Sequence, residues 1–382
     1  MKNKTIQTLY IFSVVATFIL HAFNDVEYGG IKLFYIPAAV SFILSMLFSD
    51  KKQILNKKTI LLVAWTLMSS FISPYEGALS RAFTFMVVTV SLFGMLSCDK
   101  RKILHVANIA IPFVLFFLLA HRESDAFGRY QGYYNDPNYL CTTLITYIAL
   151  IMMEMFVVKK KYFQVGLLLE LLVILFLITT TVSRTGLFCS FLLLLLTTWG
   201  FFVRYKFQTA IVVIIGIGAM VYTNPIIIAD TINSYMIRAE RGDELSGASD
   251  LRKEIALRGV QYVTAHPQYI LQGLGNGGTA NAQCYNDFVV QSKEGDHNTL
   301  TSMFSEQGFI GFILYISILW YLARYLYSNY KNGNVSRISF FTFIVLQIFS
   351  LSISQVLYFP FWFFLFFADN LNINENENTT YL

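Results

Sequence analysis

Gln272-Gly273-Leu274-Gly275-Asn276-Gly277-Gly278 lies inside a polar interval that runs from about Thr223 to Asn298. No other region of this size is too polar for a lipid bilayer to hold. The interval also carries Arg238, Arg241, Arg252, Lys253, Arg258, His266 and His297. The glycines of the quoted run permit close backbone approach and positive φ. The run is not a dinucleotide fingerprint, because no strand–helix unit surrounds it.

Outward from this interval the chain is apolar in both directions. Of 382 residues, 55% are hydrophobic and 13% charged, and the mean hydropathy is +0.55. A soluble domain carries about 25% charged residues. Apolar runs near the roughly 20 residues that cross a bilayer recur from end to end. The fold class is therefore an all-α polytopic membrane protein with one large outer loop containing short helices; a β-barrel would show short alternating segments instead. Twelve spans are expected: Thr5–Phe23, Leu33–Phe48, Thr59–Ile72, Ala82–Ser97, Ile103–Ala120, Tyr139–Val158, Phe163–Val182, Leu187–Val203, Phe207–Tyr222, Thr299–Tyr327, Ile338–Leu351 and Val356–Ala368. The first lacks a small-residue cleavage site and leads into a second span, so it reads as a transmembrane helix rather than a signal peptide. The parts are then a scaffold of five spans (1–120), spans six to nine with an outer loop at 121–138 (121–222), the large loop (223–298), the last spans (299–368) and an inner tail (369–382).

Charge placement sets the orientation. With both termini inside, 17 of the 28 basic residues fall on the inner side, including Lys100-Arg101-Lys102 and Lys159-Lys160-Lys161. This is the distribution the positive-inside rule expects. The other 11 are Lys32, Arg81, Arg122, Arg129, Arg184, Arg238, Arg241, Arg252, Lys253, Arg258 and Lys293, of which eight are arginine. Arginine offers a planar fork suited to phosphate or carboxylate. Pairing with local acids such as Glu240, Asp243 and Glu244 explains single arginines better than it explains the whole set. The four cysteines, Cys98, Cys141, Cys189 and Cys284, form no disulfide framework and no zinc spacing.

Three loops carry polar groups of interest. The outer loop before span six contains Arg129 and Tyr130-Gln131-Gly132-Tyr133-Tyr134-Asn135-Asp136-Pro137-Asn138. Its tyrosines suit sugar rings and its amides suit hydroxyls; an interfacial aromatic belt is the plainer reading of the tyrosines. Thr181-Val182-Ser183-Arg184-Thr185-Gly186 joins spans seven and eight in a turn too short to reach far into water, which holds Arg184 at the interface, facing a cavity or snorkelling to headgroups. In the large loop a helix from Ser249-Asp250 to Ala265 is expected to stop at His266-Pro267, with Glu254 and Arg258 paired across one turn. Asp296-His297-Asn298 precedes span ten, which carries Glu306-Gln307-Gly308 about two turns in. His21 and His105, near span ends, read as packing or interfacial residues. The first five spans show nothing that requires chemistry, and Ser352-Ile353-Ser354-Gln355 reads as the outer turn of the last apolar stretch.

Gly132–Asn138, Ser183–Gly186, Arg252 through His266-Pro267 to Gly277, and His297-Asn298 followed by Glu306–Gly311 together resemble the Wzy/WaaL superfamily of O-antigen polymerases and ligases. The similarity covers about Gly128 to Gly311. It implies a GT-C-like glycosyltransferase of a bacterial inner membrane, working at the periplasmic face on a glycan carried by undecaprenyl pyrophosphate. It implies neither metal nor cofactor, and no nucleic acid. Membrane lipids, a chain-length regulator and a flippase of the same pathway are the partners it suggests. By resemblance Arg184 and Arg252 hold pyrophosphate and His297 is the catalytic base, with Arg129, Asn135, Asn138, His266, Asn298 and Glu306 as substrate-binding candidates. Elementary chemistry agrees: an attacking hydroxyl needs a base, and a departing pyrophosphate needs positive charge. A polymerase is the preferred reading. The alternatives are a ligase acting on lipid A-core, transfer of the glycan to protein, and, from a different class, an anion or polysaccharide transporter. Metal assistance through Asp243, Glu244, Asp287 or Asp296 ranks low, since no ligand spacing recurs.

Overall fold

The computed structural model describes residues 2–49, 53–121, 124, 129–204, 229, 232–233, 236, 257–281, 298–371 and 373. The expected ninth span, most of the large loop with Arg252, Glu254, Cys284 and His297, and all but the first residues of the tail lie outside them. Among the described residues the chain is almost wholly helical. Its elements are α1 (Lys2–Leu20), a 3₁₀ turn (His21–Phe23), β1 (Glu27–Tyr28), β2 (Ile31–Lys32), α2 (Tyr35–Phe48), α3 (Ile54–Phe71), α4 (Ala78–Val90), a second 3₁₀ turn (Phe93–Ser97), α5 (Lys100–Ala120), α6 (Pro137–Val157), α7 (Lys161–Thr180), α8 (Arg184–Arg204), α9 (Pro267–Gln272), α10 (Gly278–Asn281), α11 (Thr299–Asn329), α12 (Asn334–Ser350) and α13 (Phe359–Ala368). Residues 257–265 are also helical and end at His266-Pro267. The two strands form one small antiparallel hairpin between α1 and α2.

The twelve expected spans are not all present as such: each one within the described residues overlaps helical structure, and among those residues six segments are long and apolar enough to cross a membrane: Lys4–Phe23, Ala78–Ser97, Lys100–Ala120, Pro137–Val157, Lys161–Thr180 and Thr299–Asn329. Two expected spans take a different form. The fourth breaks after Val90. Its freed Ser91 carbonyl accepts from Tyr10 Oη (2.8 Å) and Ser45 Oγ (3.0 Å), and Ser45 Oγ accepts from Gly94 N (2.9 Å). Side chains from α1 and α2 thus replace the missing helical bonds.

The last expected span is shorter than a bilayer crossing. α13 has 10 residues, about 15 Å at 1.5 Å per residue, or half the hydrocarbon thickness. All of Phe359–Ala368 is buried. A helix apolar on every side belongs in a core, and α13 supplies one: Phe363 stacks on Phe18 (4.1 Å), and Trp362 meets Phe85 edge-on (5.5 Å). Asn334–Ser350 and Phe359–Ala368 flank a turn at 351–358 that includes the expected Ser352–Gln355. α6 is the other central helix, buried over nearly all of its length. His105 on α5 does more than pack: its Nδ1 lies 2.8 Å from Glu154 of α6, a buried carboxylate.

Candidate active site at one end of the bundle

α11 is interrupted at Gly308, where φ is 66° and ψ is −173°. The break leaves preceding carbonyls without their i+4 donors. Ser305 O accepts instead from Leu274 N (2.9 Å), Glu306 O from Gly275 N (2.8 Å) and Gln307 O from Trp65 Nε1 on α3 (2.7 Å). The glycine-rich run therefore docks into the helix break as a strand-like patch. Gly273 and Gly308 meet face to face: a Cβ on Gly273 would strike the Glu306 carbonyl, and one on Gly308 would strike Leu271 O. Both glycines have positive φ.

The far side of the same loop rests on the α3–α4 turn. Ser70 Oγ accepts from Asn276 N (3.0 Å), and Ser73 Oγ donates to Leu274 O (2.5 Å). Ser69 Oγ donates to Gln307 Oε1 (3.0 Å). The Arg81 side chain lies against Gly277, so close that a Cβ there would collide with its guanidinium. Glu306 is buried beneath the loop; its carboxylate accepts from Thr279 Oγ1 (2.9 Å), with the Gly277 backbone N–H and Arg81 within electrostatic reach.

A second wall is built where α6, α7 and α8 meet. Asp136 caps α6, accepting from Asn138 N (2.7 Å) and Asn138 Nδ2 (2.8 Å). Asn138 Oδ1 accepts in turn from Ser183 Oγ (2.7 Å), which also accepts from Gly186 N (3.0 Å). The turn forces Val182 to φ 51°. A β-branched residue in the left-handed region costs about 1–3 kcal/mol. Burial of Val182, a Tyr130 N to Thr180 O bond (3.1 Å) and a Ser183 N to Thr181 Oγ1 bond (3.2 Å) hold it there. The result is Arg184 on the first turn of α8, exposed and with no side-chain partner among the described residues. Gly186 is required for tight packing, since a Cβ would lie 2.5 Å from Cys141 Sγ.

The turn at 351–358 ties the two walls. Tyr139 Oη donates to Ser354 O (3.0 Å), Tyr358 Oη donates to Tyr139 O (2.5 Å), and Thr299 Oγ1 accepts from Gln355 N (3.0 Å). Tyr139 lies within electrostatic reach of Asp136, Glu306 and Arg81. Tyr134 fastens the loop before α6 to α1, donating to His21 O (2.7 Å) beside Thr143 Oγ1 (2.9 Å); burial pushes its phenol up, so it stays a neutral donor.

The residues singled out from sequence thus divide. Arg184 and Asn135 are exposed at this end. Arg129 is half-buried and acts electrostatically near Cys141. Asn138 and Glu306 are buried and engaged within the protein. Asn298 caps α11, accepting from Leu300 N (2.8 Å) and Thr301 N (3.3 Å). His266 stacks on Tyr262 (4.2 Å) with Nδ1 2.8 Å from the Tyr262 carbonyl. In the neutral ring that bond places the proton on Nδ1 and leaves the Nε2 lone pair available. Arg252 and His297 fall outside the described residues, although His297 immediately precedes the Asn298 cap. Arg81, Ser70, Ser73 and Trp65 carry no assignment in the sequence reading; of these only Arg81 gave a signal, as an outer-side arginine. Among the described residues no group of three or more His, Cys, Asp or Glu side chains could hold a metal ion.

Residues 169–316, from within α7 to within α11, match the protein-family model described as O-antigen ligase. No curated protein matches the chain.

Proposed function

Because the chain belongs to the Wzy/WaaL superfamily, we propose that it is a membrane glycosyltransferase whose donor is a glycan on undecaprenyl pyrophosphate, and that it acts as a polymerase of lipid-linked repeat units at the periplasmic face. The observation that carries this reading is Arg184: exposed, unpaired among the described residues, and held by a strained turn beside two helix N-termini, those of α6 and α8. Such an arrangement favours a phosphate oxyanion.

In the proposed reaction Arg184 and Arg252 grip the pyrophosphate. The acceptor hydroxyl oxygen attacks the anomeric carbon and forms the new glycosidic bond. The bond from that carbon to the pyrophosphate oxygen breaks, and its electron pair leaves with the pyrophosphate. The hydroxyl proton passes to His297. A single displacement inverts the anomeric centre. The arginines offset the charge that develops on the leaving group, and the histidine works near its reference pKa of about 6.5.

A second reading, a ligase that moves the glycan to lipid A-core, is favoured by the description of the matched family. Surface polysaccharide from a strain lacking this gene separates the two. One repeat on lipid A-core without a ladder identifies the polymerase. Long lipid-linked chains with nothing on the core identify the ligase. An unchanged ladder removes both. For the residue roles, His297→Ala is expected to lower turnover by about 10²- to 10⁴-fold at unchanged protein level, and full activity would exclude His297 as the base.

A further inference from the structure

Arg81 lies in the first 168 residues, which the family match does not reach, yet the fold brings it to the site. Three observations converge on it. Its side chain is exposed, and its guanidinium has no hydrogen-bond or ion-pair partner among the described residues. The protein makes room for it: Gly277, at φ 77°, admits the guanidinium where any Cβ would collide with Nη1. Next to Gly277, Asn276 is 2% exposed, its backbone N is held by Ser70, and its side-chain Nδ2 has no partner among the described residues. Glu306 accepts from Thr279 and lies within electrostatic reach of Arg81 without a hydrogen bond to it, so it attracts the guanidinium and leaves its donors unused among the described residues.

We propose that Arg81 is a further substrate-binding arginine, donating to pyrophosphate oxygens of the lipid-linked donor from the wall that α3, α4 and the glycine-rich loop build. This rests on the pyrophosphate reading above. The fork of a guanidinium seated on a glycine can reach two oxygens at once. The glycine-rich loop is then an arginine seat, and the site is assembled from both parts of the chain. The same phosphate chemistry is offered by bulk lipid headgroups, to which an interfacial arginine can snorkel, so the test must separate the two sources.

Undecaprenyl pyrophosphate binding is measured on the full-length protein in phosphatidylcholine nanodiscs, and again with phosphatidylglycerol added, for wild type, Arg81→Gln, Arg81→Lys and Arg184→Gln. Arg81→Gln is expected to bind about tenfold more weakly in both lipids, the weight of one charge-assisted contact. Arg81→Lys recovers part of the loss, because it keeps the charge and loses the fork. Its retained charge also supplies the test should Arg81→Gln fail to fold. Wild-type binding by Arg81→Gln with weakened binding by Arg184→Gln would overturn the role of Arg81 and leave the pyrophosphate reading standing. Wild-type binding by both would overturn the reading itself. A defect confined to phosphatidylglycerol discs would assign Arg81 to lipid headgroups and overturn the proposal.

Discussion

At Gly308 the backbone takes a φ/ψ pair that side chains other than hydrogen hardly tolerate. The neighbouring Leu271 carbonyl would also lie inside the van der Waals contact of an added Cβ. Gly308→Ala is therefore expected to cost about 2–4 kcal/mol, read as a lower melting temperature of the solubilised protein. Gly166→Ala on α7 is the control, since nothing lies within 4 Å of its would-be Cβ. Equal melting temperatures for the two variants would show that the loop is not seated in the break. The run of glycines from Gly273 to Gly278 is legible as a loop of unusual backbone; that Gly308 is its counterpart is not. Glu306-Gln307-Gly308 reads as the interior of a span, and nothing local announces that the helix opens there.

Helix ends decide how the functional groups are presented. Asn298 caps α11 directly after His297, so the cap sets where the chain leaves the large loop. Asn298→Ala is expected to cost about 1 kcal/mol and Asn298→Asp nearly nothing, which equilibrium unfolding in detergent would measure; a neutral alanine would mean the cap does not restrain the helix start. The Ser183 hydroxyl ties the α7–α8 turn to α6 and to the first turn of α8. Ser183→Ala removes both the bond to Asn138 Oδ1 and the acceptor for Gly186 N. Its expected effect is about tenfold on kcat/KM, with Arg184 still present but no longer fixed. Wild-type kcat/KM would separate the turn from the function. The start of α6 at Asp136-Pro137 follows from local chemistry and is visible in sequence, whereas Asn298 reads there as a substrate-binding candidate and the structure shows it as a cap. The Asn138–Ser183 bond spans 45 residues and is not.

At the scale of the molecule, α3 and α4 are part of the site's frame. Trp65, Ser69, Ser70, Ser73 and Arg81 contact or face the glycine-rich loop and the opened turn of α11. A chain beginning at Cys98 retains the family-matched segment and loses all five. It is expected to be inactive even when it reaches the membrane, as tested by complementation and by the polysaccharide ladder. Activity in that truncation would return the first four helices to the role of pure scaffold. α13 belongs to the same scale. Its Phe- and Trp-rich sequence reads as a span by hydropathy, but its 10 residues fill the centre of the bundle.

The class of the protein follows from the sequence alone, because hydropathy and charge placement act locally: a bilayer demands apolar length, and the basic residues keep their places between the apolar runs wherever the chain folds. The helices, their caps and the Arg184 turn are local in the same sense. The tertiary structure decided which carbonyls the break at Gly308 exposes, which loop satisfies them, and which arginine lies on Gly277. Those outcomes depend on backbone groups that must find partners when water is excluded. The partners come from Leu274 and Gly275 of the glycine-rich loop and from Trp65 on α3, far along the chain, where no sequence period or motif links them.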